Sequence, residues 1–579
     1  MPKETTQTKR LSVSVGQYST AGNKPTNQDF HGALIPQGHV CALKGITLAL
    51  ADGISSSPVS HEASETIVKA LMSDYYCTSD AWSVKTAASR VISATNSWLY
   101  AQNRRARVGD MNRGMVCTLS SVIFKGTHAH LFHVGDSRIW RISGDRLEPL
   151  TEDHRIILSE DESYLGRSIG SGPEVEIDYT QHAISEGDIY LLTTDGVHEF
   201  WDSNHVVDSI RNCQTLDDAA KLIVADALGK GSDDNLTLQI ARVDQIPASN
   251  DNAELLDDTL NLPLGNLPNV GDVIDNFRIL RPIVNSARSH IYLAQTPDNQ
   301  QVVLKFPSVD MSESVDYLRR FVMEEWISRR IKSPYVLGPA PTPEKRTCLY
   351  TVTEFVEGQT LRQWMIDNPN PKLEEVRNII EQVAQGLRAF HRKEMLHQDL
   401  RPENIMIDEG GTVKIIDFGS TSVAGVQEVS PVYVDSDILG TVQYTAPEYF
   451  LGYAGTSASD LFSLGVIAYE MLTGKLPYGT KVNHVRTQKD LRKLTFKSTL
   501  ASKEPLPDWI EYALQKAVHL NTAKRYLTFS EFLKDLRKPA PDFKSKNALP
   551  LMERNPVLFW QGLSLFFAAT TLISLISRF

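Results

Sequence analysis

Residues 396–419 read LHQDLRPENIMIDEGGTVKIIDFG. An Asp-Leu-Arg-Pro-Glu-Asn loop leads into an apolar run, Gly410-Gly411 turns the chain, and a second apolar run ends on Asp417-Phe418-Gly419. Two such runs joined by a glycine pair predict a hairpin, which returns its two ends to one place. Phosphoryl transfer from a nucleotide needs a carboxylate beside the attacking hydroxyl and oxygen ligands for magnesium near the phosphates. Asp399 can serve the first need, and Asn404 with Asp417 the second.

The stretch resembles the catalytic core of eukaryotic-type Ser/Thr protein kinases, and the resemblance runs from about Asn276 to Leu536. It implies a bilobal kinase fold, ATP as substrate and Mg²⁺ held by Asn404 and Asp417. Strand-like runs (FRILRPIV, SHIYLAQT, QVVLKFP) precede a helix-like RRFVMEEWISRRI, as a small lobe requires. Lys305 matches the phosphate-contacting lysine, and Glu324 its ion-pair partner, with Glu325 a close rival. Asp399 would be the catalytic base. Arg401 stands where a lysine is usual, still cationic toward the transferring phosphate. Glu354 and Val356 would offer backbone groups to an adenine edge. Gln398 replaces the usual arginine before the catalytic aspartate, and glutamine cannot pair with a loop phosphate. Ser420–Gln443 corresponds to the activation loop, Glu448 would pair with Arg525, and Asp460 would brace the catalytic loop. The three glycine positions of the nucleotide-covering loop hold Val284, Ser286 and Ser289. Glycine serves there because it lets backbone N–H groups approach phosphate. A kinase half that only senses nucleotide or scaffolds is therefore the alternative.

The first 245 residues show short β-branched runs (ITLALA, TLSSVIF, AHLFHV, IYLLTT, LTLQIARV) and helical stretches near 60–78 and 81–105. Strands grouped with helices between the groups predict an α+β sandwich. Asp52, Asp136 and Asp195 end strands, Asp234 precedes one, and Asp29 lies in Asn-Gln-Asp. Carboxylates converging on one sheet end would raise each other's pKa unless cations neutralised them. Hard oxygen ligands select Mg²⁺ or Mn²⁺, and two such ions sharing a water suit phosphomonoester hydrolysis. The series NQD, ADG, GDSR, LTEDH, TDG and DDNLT resembles, in order, the type 2C metal-dependent (PPM) Ser/Thr protein phosphatases. That resemblance implies a helix-flanked antiparallel β-sandwich and Ser/Thr phosphoprotein substrates. It assigns Asp52, Asp195 and Asp234 to a first metal and Asp52 with the Gly53 carbonyl to a second. Asp29 would support through water, and Asp136 would help bind a third ion. Gln28 replaces a frequent acid, Ile54 a histidine of some members, and Lys24 a phosphate-binding arginine.

The chain of 579 residues is too long for one core, and 41% hydrophobic with 22% charged residues is ordinary for folded protein. Its net charge of -11 argues against nucleic acid as a partner. The five cysteines lack CxxC spacing, which fits a reducing compartment. No apolar leader follows Met1. VLFWQGLSLFFAATTLISLI, 557–576, carries no charge, and about 20 apolar residues suffice to span a bilayer. Lys544, Lys546 and Arg554 precede it, so the expectation is a single-pass C-terminal anchor with both catalytic domains cytoplasmic. The domain expectation is phosphatase 10–244, flexible linker 245–272, kinase 273–538, juxtamembrane segment 539–555 and transmembrane helix 556–577. Together these predict a bifunctional bacterial kinase/phosphatase in signal transduction, acting on protein substrates and on its own activation loop.

Overall fold

A computed structural model describes residues 9–106, 113–144, 146–157, 163–247, 259–260, 262–286, 289–311, 314–343, 345–429, 443–499, 506–543, 552 and 556–576. Two compact units emerge: Met1–Asn261 with Val423–Tyr433, and Leu262–Ser422 with Val434–Phe579.

The first unit is a sandwich of two antiparallel five-stranded sheets. One has the order β1 (Ser12–Thr20), β12 (Leu236–Gln245), β11 (Ile189–Thr193), β6 (Arg138–Ser143), β7 (Arg146–Pro149). The other runs β10 (Asp178–Ala183), β5 (His128–Val134), β4 (Leu119–Lys125), β3 (Ile46–Ala51), β2 (Phe30–Leu34), and a separate hairpin pairs β8 (Arg155–Ile157) with β9 (Ser163–Leu165). The period of two in ITLALA explains the layering. Ile46, Leu48 and Leu50 point between the sheets with Val122, Tyr190 and Leu192, while Ala49 and Ala51 point outward. Those outward alanines leave room for helices α1 (Ser60–Cys77) and α2 (Val84–Arg105), which bury Ile67, Leu71 and Ile92 there. On the opposite sheet, α3 (Ser203–Asn212) and α4 (Leu216–Gly229) cover Leu236, Leu238 and Ile240.

The second unit starts with the sheet β13 (Val273–Ile274), β14 (Phe277–Asn285), β15 (Ser289–Gln295), β16 (Gln301–Pro307), β17 (Thr351–Glu354). Helix α5 (Val315–Ser328) accompanies it. A mostly helical portion follows, built on α6 (Leu373–His391), α7 (Ser457–Thr473), α8 (Asp508–Ala517) and α9 (Phe529–Arg537). A smaller sheet of β18 (Gly358–Thr360), β19 (Ile405–Asp408) and β20 (Val413–Ile415) contains the hairpin expected at 405–415.

Two expectations need correction. The second half of the linker is packed rather than free: Leu349 N–H donates to the Pro263 carbonyl, Gly265 lies against Cys348, and Leu267 joins the small-lobe core. Apolar Leu267 is drawn into that core because burial outweighs the entropy of a short segment. At the C-terminus, helix α10 (Pro556–Ile576) forms where a membrane span was expected. Yet among the described residues no helix is long and apolar enough to cross a membrane. Gln561, Ser564, Thr570 and Thr571 dilute the apolar run, and the expected span is not established.

Candidate active sites

In the first unit the acids arrive from different strands. Asp52 follows β3, Asp136 follows β5, Asp195 follows β11 and Asp234 precedes β12, so sheet order brings these strand ends to one end of the sandwich. Asp29 is buried, and its Oδ2 accepts from Thr237 Oγ1 at 2.7 Å and Thr194 Oγ1 at 3.1 Å. Burial above all, and the charge of Asp234, push Asp29 up to about 6 despite those bonds. Asp52 is held well above the usual carboxylate range by burial first, then by Asp29, Asp195, Asp136 and Asp234. Burial and then Asp136 push Asp195 up to about 7. Carboxylates that raise one another in this way share one electrostatic site, which is the convergence the strand-end pattern predicts.

Gly53 is required by close approach, since a Cβ there would meet the Gln28 carbonyl and Ser60, each at 2.9 Å. Gln28 serves structure: its Nε2 donates to the Ser57 carbonyl at 2.6 Å and Ser60 Oγ at 2.7 Å. Lys24 reaches the cluster and sits 3.4 Å from Asp234 Oδ2.

Arg155 was not anticipated. From β8 its Nε donates to Asp136 Oδ2 at 2.6 Å, Nη2 to Asp195 Oδ2 at 2.8 Å and Nη1 to Glu199 Oε1 at 2.9 Å. Its only signal in the sequence was its position directly after Leu-Thr-Glu-Asp-His, and its partners Asp136, Asp195 and Glu199 lie 19 to 44 positions away. The oxygen donors suit a hard divalent cation, and buried Asp29 Oδ1 has no hydrogen-bond partner among the described residues. Among those residues no group of three or more His, Cys, Asp or Glu is drawn together as a metal cluster. The guanidinium of Arg155, bonded to both Asp136 and Asp195, places a positive charge beside these carboxylates.

In the second unit, Lys305 on β16 donates to Glu324 Oε2 on α5 at 2.6 Å. Its neighbour Glu325 faces elsewhere, accepting from Arg329 at 2.6 Å and Arg346 at 2.5 Å. Successive residues on a helix point about 100° apart, so only one of the two can meet Lys305. Burial lowers the Lys305 ammonium, but Glu324 and Asp417 more than offset it, and the group stays charged. Asp417 is likewise held below the usual range against burial, chiefly by Lys305. Asn404 Nδ2 donates to the Asp399 carbonyl at 2.9 Å and to Asp399 Oδ2 at 3.2 Å. Arg401 Nε lies 3.6 Å from the same Oδ2. The hairpin therefore returns Asn404 and Asp417 to one neighbourhood, since Ile416 N–H also bonds the Asn404 carbonyl.

Asp460 on α7 accepts from His397 N–H and Gln398 N–H, each at 3.0 Å, and from His391 Nε2 at 2.8 Å. That brace holds Gln398 at φ +66°, a left-handed conformation few side chains favour. Glu448 takes a bidentate pair from buried Arg525 at 2.7 and 2.8 Å. Where two of the glycine positions fall, Ser286 Oγ donates to the Ser289 carbonyl at 3.0 Å and accepts from Ser289 N–H at 3.1 Å. Val284 lies on the adjoining strand, paired with Ile291 and 45% exposed. Of the two residues expected at an adenine edge, Glu354 donates its N–H to the Gly338 carbonyl and Val356 is buried. Expected loop hydroxyls from Ser430 to Thr441 lie outside the described residues.

The protein phosphatase 2C family model matches residues 17–230, and the protein kinase domain model matches residues 285–536. The chain joins a protein phosphatase 2C domain to a protein kinase domain. Its kinase domain is 28% identical over 262 residues to serine/threonine-protein kinase PrkC of Bacillus subtilis, covering 45% of this chain and 40% of PrkC. It is 32% identical over 209 residues to PknA of Corynebacterium glutamicum, covering 35% of this chain and 44% of PknA. The chain thus spans less than half the length of either curated kinase. The catalytic domain of serine threonine protein phosphatase PstP, solved with two manganese ions, is 24% identical with a TM-score of 0.34, covering 40% of this chain and 99% of that one.

Proposed function

We propose that this chain is a bifunctional Ser/Thr protein kinase and Ser/Thr phosphoprotein phosphatase. The observation that carries the kinase half is the Lys305–Glu324 pair at 2.6 Å in the same electrostatic neighbourhood as Asp417. Lys305 is held charged by Glu324 and would position the ATP phosphates. Asp399, oriented by Asn404, would accept the proton of the attacking Ser or Thr hydroxyl as that oxygen bonds to phosphorus and ADP leaves. Arg401 would balance charge on the transferring phosphate. Asn404 and Asp417 would hold Mg²⁺, which screens the phosphate charge when bound.

In the phosphatase half, Asp52, Asp195 and Asp234, with the Gly53 carbonyl, Asp29 and Asp136, would hold Mg²⁺ or Mn²⁺. Such ions lower the pKa of a bound water when present. Lys24 would orient substrate phosphate, and bound cations would relieve the burial and mutual repulsion that raise the pKa values of Asp52 and Asp195.

The test uses the full chain. Radiolabel transfer from ATP to a generic protein should vanish in Asp399→Asn, and hydrolysis of p-nitrophenyl phosphate should vanish in Asp195→Asn. Activity that survives either change sinks the corresponding half. Serines bonded to each other at 286 and 289, where glycines would let backbone approach phosphate, favour a second reading, a nucleotide-sensing kinase domain that regulates the phosphatase. No transfer by the unaltered chain, with nucleotide binding retained, would select it.

A membrane-associated, cytoplasm-facing placement belongs to the proposal. Exposed Leu565, Phe566 and Phe567 on α10 support it. Recovery of the full chain in the soluble fraction after alkaline carbonate treatment would refute integral insertion.

A further inference from the structure

Lys125, the last residue of β4, is fully buried, which is costly for an ammonium unless acceptors meet it. Among the described residues its acceptors come from far along the chain: the Gly425 carbonyl at 2.6 Å and Glu428 Oε2 at 3.0 Å. Both belong to the segment Val423–Tyr433 that forms part of the first compact unit. The Glu428 carboxylate also accepts from Val84 N–H, at 3.0 and 3.1 Å, at the first turn of the 22-residue helix α2. An anion there meets unsatisfied N–H groups and the positive end of the helix dipole. Gly425 N–H donates to the Ala81 carbonyl at 3.0 Å. Shape agrees with charge. A Cβ on Gly425 would lie 2.6 Å from the carbonyls of Asp80 and Trp82, and one on Gly126, at φ +58°, would lie 2.8 Å from the Glu428 carbonyl. Val423 and Val426 are buried alongside.

Residues 424–429 follow Asp417-Phe418-Gly419 by a few positions and lead into Ser430. On the reading above, they open the kinase activation segment. We propose that the phosphatase domain carries a docking site, built from Lys125, Gly126 and the first turn of α2, that captures residues 424–429 of the activation segment by its Glu428 carboxylate. The site would keep that segment's phosphates at high local concentration for the phosphatase of the same chain. A pocket with a buried cation, a helix N-terminus and two positions open only to glycine selects an acidic peptide with a small residue three positions before its carboxylate.

The inference rests on the kinase and phosphatase assignments, so its test has an arm independent of both. Hydrogen–deuterium exchange on the full chain should show slow exchange for the Gly425 and Val84 amides. In Lys125→Met and in the near-isosteric Glu428→Gln, exchange of 424–429 should rise at least tenfold with thermal unfolding otherwise retained. Wild-type amides in 424–429 that exchange at unprotected rates, or variants that leave them unchanged, would overturn the proposal. In the second arm, loop phosphate installed from radiolabelled ATP should be lost at least several-fold more slowly in Glu428→Gln, while p-nitrophenyl phosphate hydrolysis is unchanged. Loss at the wild-type rate would overturn the presenting role. If an Asp195→Asn chain takes up no label, the kinase reading fails, and the exchange arm still decides the docking.

Discussion

Glu324 and Glu325 are adjacent carboxylates of the same chemistry, and their fates diverge because a helix turns between them. Glu324 meets Lys305, whereas Glu325 ties Arg329 and Arg346. Glu324→Gln should therefore lower phosphoryl transfer by roughly 10- to 150-fold, the equivalent of about 1.5–3 kcal/mol for a hydrogen bond to a charged group. Glu325→Gln should leave transfer nearly intact and lower the melting temperature instead, as steady-state kinetics beside calorimetry would show. Arg155 is the other residue whose role turns on placement. It makes one short charge-assisted bond each to Asp136, Asp195 and Glu199, so it competes with any divalent cation for the first two carboxylates. Arg155→Ala should tighten Mn²⁺ binding by about tenfold, close to one charge-assisted bond of ~1.5 kcal/mol. Isothermal titration of the full chain would read this, and unchanged or weaker binding would show that Arg155 does not compete.

Among elements, strand β3 and the contacts of α7 show how pattern becomes architecture. Alternation in ITLALA separates the inter-sheet core from the helix-facing layer, so Leu48→Ala, at a fully buried position, should cost about 2–5 kcal/mol in urea unfolding. Behind the kinase site, Glu448 and buried Arg525 form a bidentate pair. Burial pushes the Glu448 carboxyl up, but the Arg525 bonds and charge outweigh it and hold the group below its ordinary value of 4.5. A carboxylate depressed on folding stabilises fully above its unfolded value and loses that contribution as pH falls through the folded one. Kinase-domain stability should thus hold down to about pH 4.5 and fall below it. Arg525→Ala should remove that part of the acid dependence and cost roughly 3–5 kcal/mol, since it strands a buried charge. Melting curves across pH 3–6 for both chains would test the sign.

For the whole molecule, two compact units with separate cores predict two thermal transitions. Mn²⁺ should raise one and a non-hydrolysable ATP analogue the other, each by roughly 2.7 kcal/mol at a hundredfold excess over Kd. A single transition shifted equally by both ligands would contradict two separately melting cores. Much of this organisation was legible in the sequence. Strand-end aspartates and the Asp399 to Asp417 hairpin depend on local period and motif spacing, which a chain carries in its own order, whereas the Asp460 brace and the Glu448–Arg525 pair were expected from the resemblance to protein kinases. Three features were not legible. Leu262 to Asp272 reads as linker but packs, because one apolar side chain finds a core its neighbours do not announce. Arg155 enters an acidic site, and Lys125 finds Glu428 some 300 positions away. Sequence alone determined which chemical groups are present and the spacing that orders them along strands and helices. Only the tertiary structure decided which distant charges are buried together, because that choice depends on desolvation at contacts no local pattern encodes.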